Sequence, residues 1–118
     1  MLKFVWTDVT TPSMPTPYRP LSWPIEGPAS YRLIDLHGLL SPPVQVALKA
    51  ISPRAIAFSG PELLLPGTRL SFEMSSPRRA LPLIAEVRVQ SSTPKDRAYL
   101  VHCEWAKPLE FAELILFI

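Results

Sequence analysis

The sequence predicts an all-β domain, an antiparallel barrel or a sandwich, with an extended N-terminal arm and a C-terminal helix. From residue 44 onward, apolar and polar residues alternate with a period of two, which is typical of half-buried strands. Glycine, proline and serine interrupt this alternation at short intervals, as turns between antiparallel strands do. Proline is abundant, at 15 of 118 residues, which is well above average usage and indicates an extended segment.

The N-terminal part is predicted to form a short strand followed by the extended arm. Residues 1–6, "MLKFVW", alternate in the way that a strand does. Between residues 10 and 28 the prolines fix φ and remove backbone donors, so neither a regular helix nor a central strand is expected there. We therefore assign residues 1–30 to the strand and arm, and residues 31–118 to the barrel domain.

Five strands are predicted in the second part of the chain. They lie within "VQVALKA", "AIAF", "TRLSFEM", "LPLIAEVRVQ" and "AYLVHCEW". Their inward-facing residues should form one core, made of Val46, Leu48, Ile56, Phe58, Leu70, Phe72, Val87, Val101 and Trp105. The preceding stretch "SYRLIDLHGLLSPP" fits both the helical and the strand period, so its element stays open between the two and should end at Gly38 or before Pro42.

The C-terminal residues 108–118, "PLEFAELILFI", are predicted to form a helix that caps the barrel. They begin with a proline and glutamates, as the first turn of a helix often does. A terminal strand is the alternative. Because the run is mostly apolar, part of it must be covered, either by the N-terminal arm or by a second copy or partner.

Residues that could carry catalysis are sparse. Cys103 and His102 are neighbours in a predicted strand and point to opposite faces, so we expect a core cysteine rather than a nucleophile with its base. His37, beside Asp35, is expected to be a structural or surface histidine, because two histidines and one cysteine far apart do not form a metal site. No glycine-rich phosphate loop is present. We expect no enzyme, no catalytic residue, no metal and no cofactor.

Charge and hydropathy restrict the partners and the compartment. The 12 basic and 10 acidic residues are scattered, so no basic stripe indicates nucleic acid. No stretch reaches the roughly 18 apolar residues that cross a bilayer, and the N-terminal apolar run is too short for a secretory signal. A single cysteine suits a reducing compartment. We therefore expect a cytoplasmic protein without a transmembrane segment.

One stretch resembles a known family. "KAISPRAIAFSGPELLLPGTRLSF", followed by "LPLIAEVRV" and "AYLVHCEW", is similar to the PilZ domain over about residues 44–118. The resemblance implies a six-stranded antiparallel β-barrel, which in many bacterial proteins binds cyclic di-GMP. The family's turn Asp-x-Ser-x-x-Gly corresponds here to Ala50, Ser52 and Ala55, so only the serine is kept. The family's upstream Arg-x-x-x-Arg has no counterpart in this sequence.

These departures remove the chemistry that the standard ligand site needs. An alanine at position 50 cannot accept a hydrogen bond from guanine, and an alanine at position 55 resists a positive φ. The missing arginines remove bidentate contacts to guanine and phosphate, each worth about 1.5–3 kcal/mol. Three cationic residues are candidates for compensation, namely Arg54, Arg78 and Arg79, with a solvated loop as the alternative for each.

The resemblance therefore implies a binding module rather than an enzyme. We expect a degenerate PilZ-like barrel that acts through contacts with an unidentified protein partner, or through a homo-oligomer formed by its C-terminus. Family members of this kind serve bacterial second-messenger-linked control of motility, surface attachment or exopolysaccharide. Two other functions stay open: a barrel that binds cyclic di-GMP or another nucleotide through a non-standard site, and a structural accessory subunit.

Overall fold

Six antiparallel strands close into a barrel in the computed structural model, which describes residues 22–118. The elements are β1 Trp23–Pro24, β2 Pro28–Leu33, β3 Val44–Ile51, β4 Ala55–Gly60, β5 Arg69–Met74, β6 Leu83–Lys95, β7 Ala98–Trp105 and α1 Phe111–Leu114. Around the barrel the strands follow the order β3-β2-β5-β6-β7-β4, and β4 pairs back to β3 to close it. An extra two-residue strand, β1, pairs with the end of β3. The predicted all-β barrel is confirmed, and the sandwich alternative is wrong.

The alternating pattern places one set of side chains inside the barrel. All nine predicted core residues are buried there. Four aromatic residues form a continuous row through this core. Ring centroids lie 5.8 Å apart for Tyr31 and Phe58, 5.3 Å for Phe58 and Phe72, and 6.3 Å for Phe72 and Trp105. Such pairs add about 0.5–1.5 kcal/mol each beyond their burial, and this row joins β2, β4, β5 and β7.

Strand β2 is the element that the sequence left open. It pairs with β3 on one side and with β5 on the other, so it completes the barrel. Its inward residues are Ala29 and Tyr31, which are 5% and 1% exposed. The strand begins at Pro28, ahead of residue 31, the predicted start of the barrel domain. The predicted strand at residues 1–6 and most of the arm lie outside the described residues.

The C-terminal residues cover one end of the barrel. Only one helical turn, α1, forms, and the backbone then tightens to i→i−3 hydrogen bonds such as Phe117 N–H to the Leu114 carbonyl at 3.0 Å. Leu114 is fully buried, and Leu109, Phe117 and Ile118 pack against the same core. The helix is thus shorter than the stretch predicted, and the strand alternative is wrong.

Candidate functional site

The turn between β3 and β4 occupies the motif positions of the family resemblance. Ser52 is 4% exposed, and its hydroxyl oxygen accepts hydrogen bonds from the backbone N–H groups of Ala55 at 3.0 Å and Arg54 at 3.3 Å. Its carbonyl accepts from the Trp105 indole N–H at 3.1 Å. The serine is therefore engaged in shaping its own turn.

The two alanines of the motif both pair with residues of neighbouring strands. Ala50 pairs with Ala57 of β4, and Ala55 pairs with Glu104 of β7. Among the described non-glycine residues, only Asp96 and Arg97 have positive φ, so the backbone at position 55 does not require a glycine. Neither alanine offers a polar group to a ligand.

The three candidate arginines divide into two groups. Arg54 is exposed in the turn after β3. Arg79 donates to both carboxylate oxygens of Glu113 at 3.1 Å, and Arg78 donates to the backbone carbonyl of Ile118. The loop pair thus holds the C-terminal residues of the same chain against the barrel, which is a structural use of both guanidinium groups.

A cleft of about 360 Å³ opens beside the motif turn, on the outer surface of the barrel. Strands β3, β4 and β7 form its floor, and the hairpin between β6 and β7 forms one wall. We call it the lysine cleft. It is lined by Lys49, Ala50, Ala57, Ser59, Lys95, Asp96, Leu100 and His102.

A β-bulge in β3 brings Lys49 to this cleft. The register between β3 and β4 shifts between Leu48 and Ala50, so Lys49 is the extra residue. Leu48 and Ile51 point into the core, whereas the two residues between them both line the cleft. Strict alternation would send Ala50 inward, so the bulge re-aims this part of the strand.

The opposite wall comes from the long hairpin of β6 and β7. Strand β6 runs 13 residues and carries Lys95 at its end, paired with Ala98. The two residues of the turn, Asp96 and Arg97, have φ of 52° and 66°, as in a type I′ turn. A left-handed conformation is costly for arginine, and such strain persists only where the surrounding structure holds it.

The catalytic candidates rejected from the sequence lie apart in the structure. Cys103 is buried in the core, and burial raises the pKa of its thiol to about 12, whereas His102 is exposed on the other face and lines the lysine cleft. One Asp35 carboxylate oxygen accepts from the backbone N–H groups of His37 and Leu39, both at 2.8 Å, so it organises the loop after β2. Across residues 22–118, no three potential ligands gather as a metal site would require.

Comparison with known proteins assigns no family. A scan against known protein families gives no match, and a search of curated proteins gives no significant match. Within the described part of the chain, no helix is long and apolar enough to cross a membrane.

Proposed function

We propose that this chain is a non-enzymatic, PilZ-like binding module that acts through protein contacts in the bacterial cytoplasm. The pathway implied by the resemblance is second-messenger-linked control of motility, surface attachment or exopolysaccharide. Support comes from the six-stranded antiparallel barrel together with the short turn at residues 52–54, which occupies the place of the family's ligand motif.

Standard recognition of cyclic di-GMP is disfavoured by the site itself. The turn offers methyl groups at positions 50 and 55, and its serine hydroxyl already accepts two backbone hydrogen bonds. Arg78 and Arg79 hold the C-terminal residues instead of facing a ligand. Two lost contacts of about 1.5–3 kcal/mol each would weaken binding about a hundredfold or more.

The observation that carries the proposal is an exposed apolar surface at one end of the barrel. The loops after β2 and β4 meet there, because the Ile34 N–H donates to the Arg69 carbonyl at 3.2 Å where one loop begins and the other ends. We call this surface the leucine loops. It consists of Leu36 at 99% exposure, Leu39 at 66%, Leu40 at 51%, Leu63 at 57% and Leu65 at 69%. A contiguous exposed apolar patch is typical of a surface that contacts a partner, and we take these leucines on neighbouring loops to form such a patch.

The test has two arms. Calorimetric titration with cyclic di-GMP should give no saturable heat up to about 100 µM, which corresponds to a binding free energy of about 5.5 kcal/mol. In cells, crosslinking should join the wild-type chain to a defined partner, and the double substitution Leu36→Glu with Leu63→Glu should abolish that adduct. Leu81→Glu is the matched control, since Leu81 is 73% exposed but lies in the loop between β5 and β6.

Either arm can overturn the proposal. Binding of cyclic di-GMP at one micromolar would make the chain a receptor for that ligand. An adduct that survives the double substitution but is lost with Leu81→Glu would move the contact to the other end of the barrel.

A further inference from the structure

The lysine cleft carries an excess of positive charge. Its lining residues include two lysines, Lys49 and Lys95, and one acidic residue, Asp96. The two salt bridges among residues 22–118 join Arg69 to Glu86 and Arg79 to Glu113, so none of the three charged cleft residues takes part in one. A concave site lined by more cationic than anionic side chains attracts anions, because low-dielectric walls concentrate the electrostatic field.

The floor of the cleft is apolar and enclosed. Ala57 lies between Ile56 and Phe58, which both point into the core, so its own side chain points outward. It is nevertheless only 7% exposed, and it is absent from the core cluster. The neighbouring side chains must therefore surround Ala57 and shield it from solvent. A small outward residue at the bottom of a depression leaves room for the body of a ligand.

The polar groups are arranged around that floor. Ala57 pairs with Ala50 on one side and with His102 on the other, and Ser59 pairs with Leu100. A hydroxyl and an imidazole thus border the apolar floor, while the bulge and the hairpin supply a lysine from each wall. The volume of about 360 Å³ is near the lower end of the range for sites that bind small molecules.

We propose that the lysine cleft binds a small phosphate monoester with a compact, partly apolar body. A monoester carries about −1.5 to −2 charges at pH 7, so its oxygens can pair with both lysine ammonium groups at once. Leu100, Ala50 and Ala57 would face the body of the ligand, and Lys49 and Lys95 its phosphate. This site does not depend on the leucine loops, so it is independent of the proposed protein contact.

Titration of the full chain with adenosine 5′-monophosphate, adenosine and inorganic phosphate tests the chemistry. We expect saturable binding of the monophosphate below about 1 mM, and at least tenfold weaker binding of both adenosine and phosphate. No saturation by the monophosphate at 1 mM overturns the proposal. Equal binding of inorganic phosphate would overturn the part of it that assigns the apolar floor to the ligand.

Substitutions locate the site. Lys49→Gln and Lys95→Gln should each weaken the monophosphate about tenfold or more, the loss expected for a charged hydrogen bond. Lys107→Gln is the matched control, because Lys107 is exposed and does not line the cleft. Ala57→Leu should abolish binding by filling the floor, with the thermal midpoint confirming that the variant is folded. Equal losses in the control and the two cleft variants would show a general charge effect and overturn the site.

Discussion

The two ends of the barrel differ in how far their apolar side chains are buried. At one end, the C-terminal residues fold over the opening and bury Leu114 completely. A backbone hydrogen bond of 2.8 Å from the Leu109 N–H to the Pro53 carbonyl ties them to the β3–β4 turn, and the Arg79–Glu113 pair ties them to the β5–β6 loop. We call this the closed end.

At the other end, the loops leave most of their leucines in water. Leu64 is the only leucine of the β4–β5 loop that turns inward, at 7% exposed, and its N–H donates to the Ser92 hydroxyl at 3.2 Å. Tyr31 reaches this end from the core and donates to the carboxylate of Glu62. Burial, and then this hydrogen bond, raise the pKa of the Tyr31 phenol.

The difference shows that apolar content alone does not decide burial. Both ends carry many apolar side chains, but only at the closed end does a segment of the same chain bury several of them, although Phe111 and Ile115 of that segment stay 65% and 41% exposed. The leucine loops instead hold their shape through polar groups such as the Asp35 carboxylate. Their apolar side chains remain available for contact with another molecule.

The largest expected difference in stability is between the same substitution at a leucine of the closed end and at a leucine of the other end. Leu114→Ala should lower the free energy of unfolding by about 2–5 kcal/mol, since it leaves a cavity in the core. Leu36→Ala, the matched change at the loop end, should alter it by less than about 0.5 kcal/mol. Urea unfolding measures both.

The mass in solution separates an internal role of Leu114 from an interface. Sedimentation should give the same species for the wild type and Leu114→Ala. A wild-type oligomer that this substitution converts into a stable monomer would show that the closed end is completed by a second copy.

A smaller effect is expected from one hydrogen bond at each end. Trp105→Phe should lower the free energy of unfolding by about 1–3 kcal/mol, because it leaves the Ser52 carbonyl without its indole donor in a buried place. Tyr31→Phe also removes one donor, but its partner Glu62 is exposed, so water can hydrogen-bond to the carboxylate instead. The loss in the free energy of unfolding should therefore be smaller. Thermal unfolding of the two variants shows which substitution destabilises the protein more. A larger loss for Tyr31→Phe than for Trp105→Phe would contradict this view of the two ends.

The barrel core and the C-terminal cap were easier to predict than strand β2. The core of the five later strands followed from simple alternation, and the C-terminal cap followed from its apolar run. The sequence left the element of strand β2 open between helix and strand, and the strand ends at Leu33 instead of at Gly38 or before Pro42. Its inward residues, Ala29 and Tyr31, are less conspicuous than the exposed leucines that follow them. The apolar pattern therefore pointed to the wrong residues.

The lysine cleft could not be predicted for a different reason. Lys49 and Lys95 lie far apart in the chain and meet only because of a bulge in β3 and the length of the β6–β7 hairpin. Neither feature has a sequence signal in this chain, since the hairpin turn Asp96–Arg97 lacks the glycine that usually marks a type I′ turn. The one available sign was the small residue Ala57, which alternation places on the outer face between Ile56 and Phe58.

The smallest expected effect compares the salt bridge of the closed end with one on the barrel wall. Arg79→Ala should lower the free energy of unfolding by about 0.2–1 kcal/mol, since Arg79 and Glu113 are only 22% and 34% exposed and hold the C-terminal residues in place. Arg69→Ala should leave stability unchanged although its distance to Glu86 is shorter, 2.9 Å, because both groups are more exposed.

The hydrogen bond from Arg69 lowers the pKa of Glu86, so any contribution of that pair is present above the ordinary pKa of a glutamate and is lost as the pH falls through the lowered value. Urea unfolding at low and high salt distinguishes the two salt bridges. If Arg69→Ala lowered the free energy of unfolding as much as Arg79→Ala, the Arg79–Glu113 pair would contribute no more than an ordinary surface pair.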